Sequence, residues 1–324
     1  MKIFLFTIIF YIICPIFVFS HNFKCFQIGP IFGYRQEEID FGVQSPLIAD
    51  PNATRENFDT FHVFEIGGNM ELLIPCRIFL RGKSTVGFGS SSNAIIEARR
   101  RISDFSNTFI GEQRFQGRYH AKSNTLDSSV NIGFPLKLAP VTLLAYFGYG
   151  YDRENITRKS PPIFNIFENG VNFSFTPSKN LDFKYYSPLF GIGFHLKPDP
   201  CGMFKLMSEY QFYWGILDIS SSYKSQTSDP TDFIIQKENL NLKKRGYSHR
   251  FFIQALMNLR CHLNIGLKLK YQYTSADPSG ARISTSSQEL INGVFTNQVQ
   301  NERVPFNKFV WQYLGGEILF LLQF

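Results

Sequence analysis

Beyond residue 20 the chain has no apolar run long enough to cross a membrane as a helix, and its mean hydropathy is near neutral at −0.10. That excludes a helical membrane domain there, which needs roughly 17 to 25 apolar residues in a row. Cysteine is scarce, at five residues, and never stands as Cys-x-x-Cys or Cys-x-x-His; Cys261 and His262 are adjacent rather than spaced, so no zinc site is expected. Basic residues are not blocked together. The longest runs are Arg99-Arg100-Arg101 and Lys243-Lys244-Arg245, so the formal charge of +7 builds no basic and aromatic platform for nucleic acid. No cofactor motif is present, and no cofactor is expected.

Aromatic residues, by contrast, are abundant, with 36 Phe and 15 Tyr. The first residues read as a secretory signal: Lys2, an apolar run from Ile3 to Phe19, then Val18 and Ser20 at the −3 and −1 positions of a cut. Pro15 inside the run argues against a spanning anchor, the alternative reading. Cys14 makes no lipoprotein site, because Ile12 and Ile13 precede it. The expected organisation is therefore a cleaved signal over 1–20 and one domain over 21–324.

That domain alternates. Phe26, Ile28, Phe32 and Tyr34 interleave with Gln27, Gly29, Gly33 and Arg35. Phe64, Ile66, Met70 and Leu72 stand opposite Glu65, Asn69 and Glu71; Leu80, Val86 and Phe88 stand opposite Arg77, Arg81, Lys83 and Thr85. The pattern recurs over 130–138 with Lys137 on the polar face, over 141–151, over 190–196, and over 206–219 with Glu209. It returns over 247–260 with Arg250 and Arg260, over 264–273 with Lys268 and Lys270, and over 308–324 with Glu317. Period-two alternation with no spanning helix is the signature of a transmembrane β-barrel, whose lipid-facing and lumen-facing residues cancel in any window average.

The strands number about ten, joined alternately by turns of a few residues and by long polar segments at about 43–58, 90–124, 152–182, 222–245 and 275–306. Outer-membrane barrels sort their connections in this way, short on the periplasmic side and long outside; a β-sandwich has no reason to. Within 90–124, residues 94–105 read as a short helix. An even strand count returns both termini to the periplasmic side.

Four cysteines follow the signal. Cys76, Cys201 and Cys261 fall in or beside short turns and Cys25 opens the first strand, so all four map to the periplasmic rim. Neighbouring short turns are two strands apart, roughly 12 Å at ordinary strand spacing with tilt, whereas a disulfide needs Cα atoms closer than about 7 Å. Links to other envelope proteins are favoured, with internal pairs and free thiols as the alternatives.

The signal, the ten alternating strands, the mass of 37.4 kDa, the closing Leu321-Leu322-Gln323-Phe324 and the turn cysteines together resemble the Protochlamydia outer membrane protein family of porins from environmental chlamydiae. The resemblance implies a bacterial outer-membrane location, a pore for small solutes, and an envelope in which cysteine-rich proteins cross-link. It carries no catalytic motif.

The expected inward charges are Arg35, Arg77, Arg81, Lys83, Lys137, Arg250, Arg260, Lys268 and Lys270 against Glu65, Glu71, Glu209 and Glu317. Lining water, they would favour anions. The competing reading is that they pair across a narrow barrel and fill it, as side chains do in small barrels. The leading reading is an anion-leaning porin. A structural or adhesive barrel cross-linked through its cysteines is the alternative. An omptin-like surface protease is weaker still, because its acid pair and His-Asp pair find no counterpart: Asp59 with His62, His120, and Asp152 with Glu154 are the candidates near the outer rim, and none has the spacing. The chain thus reads as non-enzymatic, with membrane lipid, small solutes, other envelope proteins and the barrel assembly machinery as its expected partners.

The segment from Lys308 to Phe324 is the expected closing strand. It turns Val310, Leu314, Ile318, Phe320, Leu322 and Phe324 to lipid, pairs with Phe26–Tyr34, and ends on the aromatic that marks such strands for insertion. On this reading Glu317→Gln alters only the lumen. Deleting Phe324 is expected to lower the folded fraction in outer membranes, scored by the heat-dependent gel mobility of folded barrels; undiminished folding would overturn the role given to that residue.

Overall fold

The computed structural model describes residues 26–44, 53–74, 78–103, 109–138, 141–159, 164–168, 171–196, 203–228, 233–260, 262–276, 281–291, 294–304 and 306–324. The expected signal segment and Cys25, Cys76, Cys201 and Cys261 lie outside them. The described residues form one antiparallel sheet. Its strands are β1 (Phe26–Gln44), β2 (Ala53–Ile74), β3 (Ile78–Ser103), β4 (Phe109–Leu138), β5 (Val141–Lys159), β6 (Phe164–Glu168) and β7 (Val171–Leu196). They continue as β8 (Phe204–Ser228), β9 (Phe233–Arg260), β10 (Leu263–Ala276), β11 (Ala281–Ile291), β12 (Val294–Val304) and β13 (Phe306–Gln323).

Ten strands close on themselves in the order β1, β2, β3, β4, β5, β7, β8, β9, β10 and β13, and β13 pairs with β1. This is the expected all-β barrel, with the expected closing pair. Along the seam Phe32 meets Ile318 and Tyr34 meets Gly316, while Phe26 and Phe324 exchange backbone hydrogen bonds of 3.3 and 2.9 Å. Gly29 is obligatory at that seam, since a Cβ there would overlap the backbone carbonyl of Phe320.

The lower part of each strand is apolar outside. Phe64, Phe134, Phe190, Leu267, Leu269 and Leu314 each leave more than half of their surface exposed, as lipid-facing residues do. Further along the strands the alternation inverts. On β1 the inward positions change from Gly33 and Arg35 to Ile39 and Phe41, both fully buried, while Gln36 and Glu38 face outward. The outer face there meets water, so apolar side chains gain by turning in.

This inversion corrects the expected loops. β3 and β4 stay paired from Phe79↔Gly133 to Ser103↔Phe109, so residues 94–103 are strand and not the expected helix. Ala94 points inward, fully buried, and ladder hydrogen bonds continuing from the barrel outweigh local helix preference. Most of the remaining polar segments likewise extend strands. β11 pairs with the early part of β9 and with β12, and β6 pairs with β7, so both additions stand beyond the ring. The 30 residues of β4, at about 3.3 Å each and about 40° tilt, rise roughly 75 Å, against an apolar band of about 25 Å.

One irregularity shapes the interior. The β1–β2 register slips between Glu37↔Phe61 and Ile39↔Phe58, with Thr60 in a left-handed conformation at φ 50°. Such a bulge re-aims its neighbours. Here Phe58 and Phe61, three residues apart, both point into the barrel and stack with centroids 5.6 Å apart.

Candidate functional site: the filled lumen

Ten strands at about 4.8 Å spacing and about 40° tilt enclose a bore roughly 20 Å across, backbone to backbone. Long charged side chains meet across such a width, and here they do. A continuous ionic chain runs through the middle of the barrel. Arg35 binds Glu37 at 3.0 Å and Glu65 at 2.7 Å; Lys270 binds Glu65 and, at 2.8 Å, Glu317. Lys83 holds Glu317 at 2.8 Å and Asp127 at 3.6 Å, and Arg250 joins Asp127 at 3.1 Å to Asp152. Strands β3 and β13, which hold Lys83 and Glu317, are not neighbours in the ring, and neither are β4 and β9, which hold Asp127 and Arg250.

A second cluster lies nearer the short-turn end. Arg81 on β3 binds Glu71 at 2.9 Å and reaches Glu209 on β8 with contacts of 2.9 and 2.7 Å. Tyr146 donates to Glu209 at 2.8 Å, Gln211 donates to the Tyr146 oxygen at 3.0 Å, and Tyr213 donates to Gln211 at 2.8 Å. His195 adds a 3.3 Å contact to Glu209. The Tyr146 ring occupies the space a side chain on Gly191 would need, which is why glycine stands opposite it. Cations also rest on rings: Arg35 on Tyr313 at 4.5 Å, Arg250 on Tyr213 at 4.3 Å and Lys268 on Phe252 at 4.0 Å.

Beyond the ionic chain the bore is packed with apolar and aromatic side chains. Phe41, Phe183 and Phe309 meet at 5.7 and 5.5 Å, Tyr119 stands edge-on to Phe58, and Leu181, Leu217, Ile219 and Leu242 complete the layer, all buried. Trp311 ties this layer to the ions by donating its indole N–H to Glu37. At the other end a cavity of about 90 Å³ remains, bordered by Asn69, Arg81, His195, Phe252 and Lys268.

Of the expected lumen charges, Arg35, Glu65, Glu71, Arg81, Lys83, Glu209, Arg250, Lys268, Lys270 and Glu317 all enter these clusters, Lys268 at 3.9 Å from Glu317. Arg77 and the side chains of Lys137 and Arg260 lie outside the described residues. Sequence reading missed four inward acids, Glu37, Asp127, Asp152 and Glu154, all buried. Parity alone would have found them: Glu37 continues Arg35, Asp127 continues Ser129 and Asn131, and Asp152 and Glu154 continue Tyr146, Gly148 and Gly150. With them, eight described inward acids nearly match the described inward cations, to which the same parity adds Arg158 on β5, Lys205 on β8 and Lys244 on β9.

The protease candidates separate. His62 faces outward and pairs with the Tyr34 hydroxyl at 2.5 Å; His120 is exposed; Asp152 is held by Arg250, and Glu154 accepts from Ser123 at 2.6 Å. The Asp59 side chain is outside the described residues. Ser248 is buried in the bore whereas His249 lies outside against Tyr210, so these adjacent residues face opposite ways.

Burying paired ions gains little by itself, but removing one partner strands the other. Glu317 is shared by Lys83 and Lys270, so Glu317→Gln is a stability change and not, as expected above, a change in the lumen alone. It should cost about 3–5 kcal/mol, measured by urea unfolding in lipid vesicles. Adding Lys270→Met should recover much of that loss, because one stranded cation then disappears. An unchanged unfolding midpoint for Glu317→Gln would contradict the pairing.

Comparison with known proteins fits this architecture. The outer membrane protease OmpT of Escherichia coli has a similar structure, with a TM-score of 0.55 and 14% identity over 95% of this chain and 99% of that one, a likeness of fold alone. Weaker overlaps include the toluene transporter TodX of P. putida, at a TM-score of 0.28 and 8% identity over 94% of this chain and 91% of that one. The translocator domain of the autotransporter NalP of Neisseria meningitidis gives 0.28 and 10% over 94% and 90%. No curated protein matches the chain. The family model described as Protochlamydia outer membrane protein matches residues 30–315, nearly the whole barrel, and with the closed ten-stranded ring it places this chain in the bacterial outer membrane as a member of that family.

Proposed function

We propose that this protein is a closed structural barrel that carries a tall β-sheet wall above the outer membrane, rather than an open porin. One observation carries the reading: the bore is filled through its height, by the Arg81–Glu209 cluster, the ionic chain and the aromatic layer in turn. Each layer joins strands that are not neighbours, so it braces the ring as well as blocking it. Solute passage, which the family resemblance implied, requires these layers to part together. The described inward acids offset nearly all of the described inward cations, which weakens the basis for an anion preference.

The cysteines complete the proposal. Cys25, Cys76, Cys201 and Cys261 supply thiols for cross-links to other envelope proteins, in a compartment where disulfides persist. A closed barrel fixed to its neighbours stiffens an envelope without opening it.

In planar bilayers the pure refolded protein should give no channel steps. Reproducible steps from wild-type protein would return the reading to a porin, and their ion selectivity would then test the anion preference. Envelopes run on gels without reductant should show the protein in species larger than the monomer that collapse on reduction. A monomer under both conditions would rule out the cross-linking.

A further inference from the structure

The outward face just above the lipid-facing band is not uniform around the ring. On β4, β5, β7 and β9 it carries Lys122, Arg153, Lys184, Lys243 and Arg245, all at least partly exposed. These cations begin where the apolar band ends: Arg153 follows Tyr151 by two residues, Lys184 precedes Tyr186 by two, and Arg245 precedes Tyr247 by two. Strand pairing links three of them in one row. Arg153 stands opposite Lys184, Lys184 opposite Asp218, and Asp218 opposite Lys243. Arg118, His120 and Lys159 extend the exposed patch along β4 and β5.

Few acids answer this charge. Asp182 holds both Arg153 and Lys184 at 2.9 Å, and Asp218 lies 3.9 Å from Lys243. One step further out, a register row of Asn155, Asp182, Ser220 and Asn241 offers mainly neutral hydrogen-bonding groups. On the other side of the ring the corresponding outward positions are Gln36 and Glu38 on β1, His62 on β2, Gln312 on β13 and Ser275 on β10; no Lys or Arg occurs there among the described side chains.

We infer that this patch docks the phosphorylated headgroup of an outer-leaflet glycolipid. It abuts the aromatic edge of the membrane band and faces sideways, so the anions that meet it first belong to the surrounding lipid. Basic side chains at that depth bind anionic headgroups at short range. The Asn and Ser row above suits sugar hydroxyls, which separates a glycolipid from a simple phospholipid. The docked lipid would cover one side of the wall and leave the Glu38 side bare.

Native mass spectrometry of the refolded full-length barrel in detergent tests this, with bisphosphorylated lipid A, its dephosphorylated form and phosphatidylglycerol as probes. Bisphosphorylated lipid A should bind at least about tenfold tighter than either of the others. The variant carrying Lys184→Glu, Lys243→Glu and Arg245→Glu should lose roughly a hundredfold in that affinity, on the scale of such charges at a membrane surface, while Gln36→Glu on the opposite side leaves it unchanged. Equal binding of the dephosphorylated lipid, equal binding of phosphatidylglycerol, or an unaffected triple variant would overturn the inference. Should the triple variant not fold, the comparison of the three lipids on the unmodified protein decides.

Discussion

A charge inside a closed barrel has no solvent to turn to, and that constraint organises the molecule. Each buried cation must find an acid within the bore, and each acid must be reached by a side chain of matching length. Lys270, fully buried between Glu65 and Glu317, meets this condition from both sides. Arg35 meets it by dividing its guanidinium between Glu37 and Glu65 while its face lies on Tyr313. Because Lys270 and Glu65, Lys83 and Glu317, and Arg250 and Asp127 sit on non-adjacent strands, satisfying these charges also fixes the shape of the ring. Hydrogen bonds between neighbouring strands close the wall; the ion pairs across it set its width.

The same constraint explains why the interior changes character along its axis. Within the membrane band the outside must be apolar, so polar side chains are left to the bore. Above the band the outside is wet, and the bore becomes the place to bury Phe41, Phe183 and Phe309. Trp311 stands at the junction, its ring in the aromatic layer and its N–H on Glu37. The lower part is thus an inside-out protein and the upper part an ordinary one, wound from the same strands.

That division also decides what could be read from the sequence. The ten ring strands, their inward and outward faces, and the pairing of β13 with β1 were legible, because apolar residues recur at every second position across the band. The upper strands were not. There Gln36, Glu38, Lys122 and Lys243 mark outward positions of a continuing strand, yet in sequence they resemble loop. The error reached the site: Asp152 and Glu154 were placed at an outer rim when they continue the inward face of β5 into the bore. Extending the period-two count past the last lipid-facing residue would have placed them, and would have offset much of the basic charge expected of the lumen.

Length then separates the roles of the two parts. A barrel needs only enough strand to cross the apolar band, and β10, with 14 residues, comes near that minimum, whereas β4 has 30 and β9 has 28. The excess is costly in conformational entropy, since each ordered residue forgoes on the order of 1–2 kcal/mol. Packed aromatics and continuous ladders offset that cost only where strands stay paired, which is why the extensions close over a core instead of spreading into loops. Above the short β10 the sheet does not stop: β11 takes up the pairing with β9 at Arg282↔Asn241, where β10 ended at Ala276↔Gly246, so the column continues past the shortest ring strand on the hairpin of β11 and β12.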